Sequence, residues 1–168
     1  MLLALCILVF GLLTRFMPHE PNFTPVLALA LFGAVYLRRS HALILPLALM
    51  MVSDLFLGLH PVIGFTWGSI FLVACLGLWV RQAQGVTRIA LGSMASALLF
   101  FAVTNFGCWL AYYPHTWEGF VSCYTLAVPF FRGTLASTLL YTVIFFGGYE
   151  LLAGRLRETR LAFVLLNK

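Results

Sequence analysis

Long apolar runs separated by short polar stretches dominate the chain and predict α-helices. The runs are continuous and rich in Leu, Ala and Phe, without the alternation of a spanning barrel strand, and a helix satisfies every backbone group in lipid. Six helices are predicted: Leu2 to Met17, Pro25 to Leu37, Ala42 to Leu59, Val62 to Val80, Ile89 to Tyr112 and Thr134 to Ala153. The second is too short to cross a hydrocarbon core of about 30 Å at 1.5 Å per residue. It either borrows the Pro-Asn-Phe-Thr stretch before it or stops inside the bundle. Pro114 to Gly133 is only moderately apolar and is expected to form an ordered outer loop or partial re-entrant segment, shielded from lipid. Residues 1–154 thus make one six-helix domain, and Arg155 to Lys168 read as a short amphipathic tail.

Composition makes these helices membrane spans. Hydrophobic residues are 62% and charged residues 9% of the 168, and the mean hydropathy is +1.02. Soluble domains are about 45–50% apolar and about 25% charged, so the expectation is an all-α integral membrane protein embedded in the bilayer. There is no room for a soluble catalytic domain and no Gly-rich Lys-Ser/Thr phosphate loop, which excludes ATP-driven machinery within this chain. The net charge of +5 does not point to nucleic acid, because the basic residues sit at the ends of apolar runs.

Those basic residues predict the topology. Arg38, Arg39, Arg81, Arg88, Arg155, Arg157, Arg160 and Lys168 fall on one side of the six-helix map, and Arg15 and Arg132 on the other. Loops kept in the cytoplasm carry the positive excess, so both termini are expected inside. A cleaved signal peptide is the rival for the first 17 residues, but the basic n-region and Ala-x-Ala-like site are missing.

The remaining polar residues then gather on the outer side. Arg15 and Asp54 are opposite charges about a turn inside the outer helix ends, where ionisable groups are costly and turn into the bundle. An ion pair between them is the plain reading and is compatible with a binding role. Three prolines in Pro18 to Pro25 stiffen a loop that could hold His19 and Asn22 over a cavity mouth, or simply break the helix. Asn105 is either interhelical glue or a ligand contact. Trp109, Tyr112, Tyr113 and Trp117 suit the aromatic belt or a pocket wall. Arg132 defies the positive-inside trend and calls for a partner: Glu118, Asp54 or an anionic ligand. His60, His115 and Tyr124 complete the outer candidates.

Enzyme motifs are weak: there is no His-Glu-x-x-His, no Gly-x-Ser-x-Gly, and Asp54 is the sole aspartate. Cys6, Cys75, Cys108 and Cys123 lack paired zinc spacing. Cys6 and Cys75 read as packing residues, whereas Cys108 and Cys123 lie toward the outer face, where a disulfide is chemically allowed. His19, His60 and His115 sit on three loops at no recognised metal spacing. Polar groups converging on an aromatic, apolar cavity suit a small-molecule site.

Arg15 through Pro25, Ser53-Asp54-Leu55, Thr104-Asn105-Phe106-Gly107-x-Trp109, Tyr113-Pro114, Cys123-Tyr124 and Pro129-Phe130-Phe131-Arg132 together resemble an uncharacterised bacterial membrane family grouped with the substrate-binding S components of energy-coupling-factor (ECF) transporters. The resemblance covers nearly the whole chain. It implies a multi-pass protein of the bacterial cytoplasmic membrane, with six helices, both termini inside, and a vitamin site under the outer loops. The chain is also similar in size to solitary cobalamin S components of the BtuM type, in which an outer cysteine ligates cobalt. Carried over, the axial ligand to a metal macrocycle would be Cys108, Cys123 or His19; Cys75, about 18 Å down helix four, is too deep. S components that share an energising module usually show Ala-x-x-x-Ala on helix one, and the nearest such pair here is Ala30-x-x-x-Ala34 on helix two.

The leading expectation is therefore a non-enzymatic binding subunit for uptake of a vitamin or cofactor-type micronutrient, a corrinoid or haem foremost, with an ECF transmembrane partner and ATPases in other chains. Its substrate contacts would come from Arg15, His19, Asn22, Asp54, His60, Asn105, Trp109, Tyr113, His115, Tyr124 and Arg132. An intramembrane thiol-dependent or cofactor-processing enzyme and a structural assembly protein are the alternatives.

Overall fold

The apolar segment too short to cross a membrane lies at the centre of the molecule. The computed structural model describes residues 2–17, 20, 22–157, 159 and 162–166. In chain order it contains α1 (Leu2–Leu13) with a 3-10 turn (Thr14–Phe16), α2 (Val26–Tyr36), α3 (Arg39–Ala42), α4 (Ile44–Leu57), α5 (Ile63–Arg81) and α6 (Val86–Tyr112). Then come α7 (Trp117–Thr142), a π-helical turn (Val143–Gly147), α8 (Gly148–Leu156) and α9 (Ala162–Leu166). Every regular element among the described residues is helical. Four stretches are long and apolar enough to cross a membrane: Arg39–Leu57, Ile63–Arg81, Val86–Tyr112 and Trp117–Leu156. The α1 stretch and α2 are shorter apolar helices.

Helix α2 is buried from Val26 through Val35 without a break. A helix apolar on every face has no side to show a polar medium and must be surrounded; α1, α4, α5, α6 and α7 all pack against it. Small residues bring α5 closest. A Cβ at Gly77 would lie 2.5 Å from the Cβ of Ala34 and 3.0 Å from the Leu31 carbonyl oxygen, a backbone approach that membrane helices use where apolar burial gives no net drive. Ala30 and Ala34 are fully buried in this contact layer, so the pair serves internal packing rather than the docking of another chain.

The far end of α2 is closed by an arginine. Arg81 donates to the carbonyl oxygens of Leu37 at 2.6 Å and Ala34 at 3.4 Å, satisfying groups that a helix C-terminus leaves unpaired. Arg88 stacks its guanidinium 4.3 Å from the Trp79 ring centre. Tyr36 donates to Glu150 at 2.8 Å, which ties α8 to the same end, and α9 packs on α1 and α8. Both described ends of the chain thus lie beside this arginine-bearing end, although Arg160 and Lys168 fall outside the described residues.

The expected outer loop from Pro114 to Gly133 is instead mostly helix. Helix α7 starts at Trp117, where the Thr116 hydroxyl accepts the Gly119 N–H at 3.2 Å and Glu118 favours the positive end of the helix dipole. The turn is tight: a Cβ at Gly119 would run into the Pro114 carbonyl oxygen. From Trp117 the helix runs through Pro129 and the π turn to Leu156, 40 residues in all, or about 60 Å. Pro129 removes one backbone donor but does not end the helix. The wider π turn lets the adjacent Phe145 and Phe146 both be buried, and Phe146 meets Phe32 edge-on at 5.4 Å.

Candidate functional site

The 3-10 turn after α1 places Arg15 against the end of α4. Its guanidinium donates to Asp54 Oδ1 at 2.6 Å, to the Ser53 hydroxyl and toward Met50 Sδ at 3.0 Å. The second Asp54 oxygen accepts the Trp67 indole N–H from α5 at 2.7 Å. The two charged side chains are 13% and 6% exposed, so the attraction of each for the other offsets the cost of burying both. This is the ion pair expected from the sequence, extended by an indole that the spacing did not reveal.

Above the N-terminal end of α2, at the opposite end from Arg81, lies a cavity of about 500 Å³. Arg15 and Met50 reach it from one side, with Asn22, Thr24, Val26 and Leu27 at its base. Asn22 adopts a left-handed φ of 61°, which asparagine tolerates, and its carbonyl faces the Ser137 hydroxyl at 3.4 Å. His60, Val62 and Thr66 contribute from the turn into α5 and from its first residues. Helix α6 supplies Phe100, Phe101, Thr104, Asn105 and Cys108, and α7 supplies Ala127, Phe130, Phe131, Thr134, Ser137 and Thr138. The volume falls within the range of about 300–1,000 Å³ that holds drug-sized ligands.

Of the residues expected at the site, Arg15, Asn22, His60 and Asn105 line this cavity. Asp54 sits behind Arg15 and holds it in place. Trp109 and His115 belong to an aromatic cluster at the cavity end of the molecule: their rings are 5.6 Å apart, and Phe120 meets Trp109 edge-on at 5.5 Å. Trp109 donates to the Pro114 carbonyl at 3.0 Å, and the Tyr113 N–H closes the end of α6 on the Trp109 carbonyl. Tyr124 uses its hydroxyl on the Ala102 carbonyl at 2.7 Å, pinning α7 to α6. Arg132 is exposed, two residues and about 200° around the helix from the cavity-lining Thr134; it faces away from the cavity. His19 lies outside the described residues.

The cysteines separate in the same way. All four are free, which removes the Cys108–Cys123 disulfide left open by the sequence. Cys108 lines the cavity, whereas Cys123 is buried and points its thiol at the Asn105 carbonyl at 3.5 Å. Among the described residues no three His, Cys, Asp or Glu side chains gather as a metal site. Of the two outer cysteines, Cys108 is the one whose residue lines the cavity.

Several cavity residues escaped the sequence reading. Thr134, Ser137 and Thr138 occupy i, i+3 and i+4 positions, which put them on one helix face, and this spacing was visible in principle. Because the sequence predicts a helix that begins at Thr134, the three fall at a helix end and the shared face does not stand out. Thr24, Thr66 and Trp67 gave no such signal, because only the packing of α2, α4 and α5 brings them to the site.

No curated protein and no solved structure matches the chain. A match over residues 1–161 shows that the chain belongs to DUF6580, a family of unknown function.

Proposed function

We propose that this chain is a substrate-binding membrane subunit, of the S-component type, for uptake of a vitamin or cofactor-sized micronutrient. The observation that carries the reading is the cavity of about 500 Å³, which combines aromatic walls with a few fixed polar groups at the end remote from the arginine cluster. By the positive-inside trend that cluster lies in the cytoplasm of a bacterium, both termini lie with it, and all six apolar helices take part in the membrane domain. The cavity then opens toward the outer face, where a scavenged solute arrives. The protein acts by binding and release rather than by catalysis, and transmembrane and ATPase chains of an energising module supply the power.

Cys108 favours a metal-bearing ligand, because it brings a soft thiol to the cavity wall. A corrinoid or haem would present only part of its ring to a space of this size, with its remainder in the mouth near His60.

Thermal-shift measurements on the detergent-purified chain test the proposal, since a ligand that binds only the native state raises its melting temperature. A panel of water-soluble vitamins, cobinamide, cobalamin and haem should contain at least one compound that stabilises saturably. No stabilisation across the panel would overturn the reading. An unchanged corrinoid and haem spectrum at saturating protein would remove the metal-ring version alone.

A further inference from the structure

The cavity has a directional hydrogen-bonding character. On the α6 and α7 side the polar groups have spent donors on their own helices: Thr104 Oγ1 donates to Phe100 O at 2.7 Å, Thr134 Oγ1 to Phe130 O at 3.3 Å, and Asn105 Nδ2 to Phe101 O at 2.8 Å. Ser137 and Thr138, buried behind them, each donate to Thr134 O, at 3.0 and 2.7 Å. A hydroxyl that has given up its proton in this way keeps only acceptor lone pairs; Asn105 adds an acceptor oxygen and keeps one further N–H on Nδ2 beyond the one given to Phe101.

The opposite side is built the other way. Arg15 has five N–H donors and no acceptor, and its bonds to Asp54, Ser53 and Met50 use three of them. Asp54 cancels its charge, and Asp54 itself does not line the cavity. Thr104, Thr134 and the Asn105 oxygen thus offer acceptors on α6 and α7 and Arg15 offers donors opposite them, with little net charge; Asn22, Thr24, His60 and Thr66 add groups of mixed character elsewhere in the lining. Between them Phe100, Phe101, Phe130 and Phe131 present apolar faces suited to a flat ring.

Resting on the binding role proposed above, we infer that the part of the ligand held between α6, α7 and Arg15 is an uncharged heteroaromatic ring, alone or as a substituent of a larger cofactor, whose exocyclic N–H donors face Thr104 and the Asn105 oxygen and whose ring acceptors face Arg15. A site that must pair buried acceptors rejects an analogue lacking the matching N–H far more strongly than a merely apolar pocket rejects a change of shape. Carboxylate-bearing chains directed at the α6–α7 wall are disfavoured for the same reason.

The test is calorimetric or ligand-observed NMR titration of the full chain in detergent, at a pH above the ring pKa of the diamine so that both probes are neutral, with 2,4-diaminopyrimidine and with 2,4-dimethylpyrimidine, which keeps the ring, its nitrogens and its size but has no N–H. The diamine is expected to bind at least tenfold more tightly. Thr104→Val should erase most of that preference, and Thr104→Ser, which keeps the oxygen and tests folding, should retain it. Equal binding of the two probes, or a preference unaffected by Thr104→Val, would overturn the inference while leaving a binding pocket in place. Absence of binding by both pyrimidines alongside a saturable vitamin hit overturns this inference alone; absence of any hit in either experiment overturns both.

Discussion

Arg15 and Asp54, 39 positions apart in sequence, meet at 2.6 Å, and their pairing links the end of α1 to the end of α4 at the rim of the cavity. Both are largely shielded, and removing one partner strands the other. Asp54→Ala should therefore destabilise the protein by about 3–5 kcal/mol, whereas Arg15→Met combined with Asp54→Leu should cost less than either single change. Thermal melting in detergent checks the order. A double variant no more stable than Asp54→Ala would show that the pair holds the fold by something beyond mutual charge.

The close approach of α5 to α2 depends on Gly77. Gly77→Ala places a methyl 2.5 Å from the Ala34 Cβ, and overpacking of this kind costs about 1–3 kcal/mol. Gly68→Ala on the same helix meets open space and should not lower the melting temperature, since alanine is the better helix former.

Helix α7 is testable apart from the rest. Amides of residues 120–128 should exchange slowly, as in a hydrogen-bonded helix, rather than at loop rates. Thr116→Ala should cost about 1 kcal/mol through loss of the N-cap, and Thr116→Asp should restore it. Rapid exchange across 120–128 in native protein would contradict the helix.

Arg15 and Arg132 are expected to behave oppositely. Arg15→Met should weaken a cavity ligand at least tenfold, because the guanidinium faces the space. Arg132→Leu should change affinity less than twofold, because the side chain leaves α7 on the other side. Equal losses from both would mean that Arg132 reaches the ligand.

Single-cysteine variants probe access. Cys108 lines the cavity and Cys6 is exposed on α1. A saturating ligand should slow maleimide labelling of Cys108 and leave Cys6 unaffected; protection of both would indicate a global change instead.

Much of the fold was legible because lipid enforces a simple rule: backbone groups must be satisfied within each apolar segment. The helices at Ile63–Arg81 and Val86–Tyr112 lie close to their predicted runs for that reason. The segment from Trp117 to Gly133 was not legible, because Ser122, Cys123, Tyr124, Thr125 and Pro129 lower its apolarity. In the helix two of these groups find carbonyl partners on α6, Tyr124 on Ala102 and Cys123 on Asn105. The Thr116 cap was the local sign of its true start.

The sequence by itself determined an all-helical membrane chain, the clustering of arginines at one end, and the expectation that Arg15 and Asp54, opposite charges at the same depth, pair with each other. Local apolarity and charge suffice for these, since each follows from the cost of placing a group in hydrocarbon. Only the tertiary structure decided that α2 stands at the centre, that Ala34 packs on Gly77, and that Thr104, Asn105 and Cys108 share a cavity with Arg15. Such proximity depends on how helices distant in sequence cross, and crossing is settled by close packing of side chains that no single segment contains.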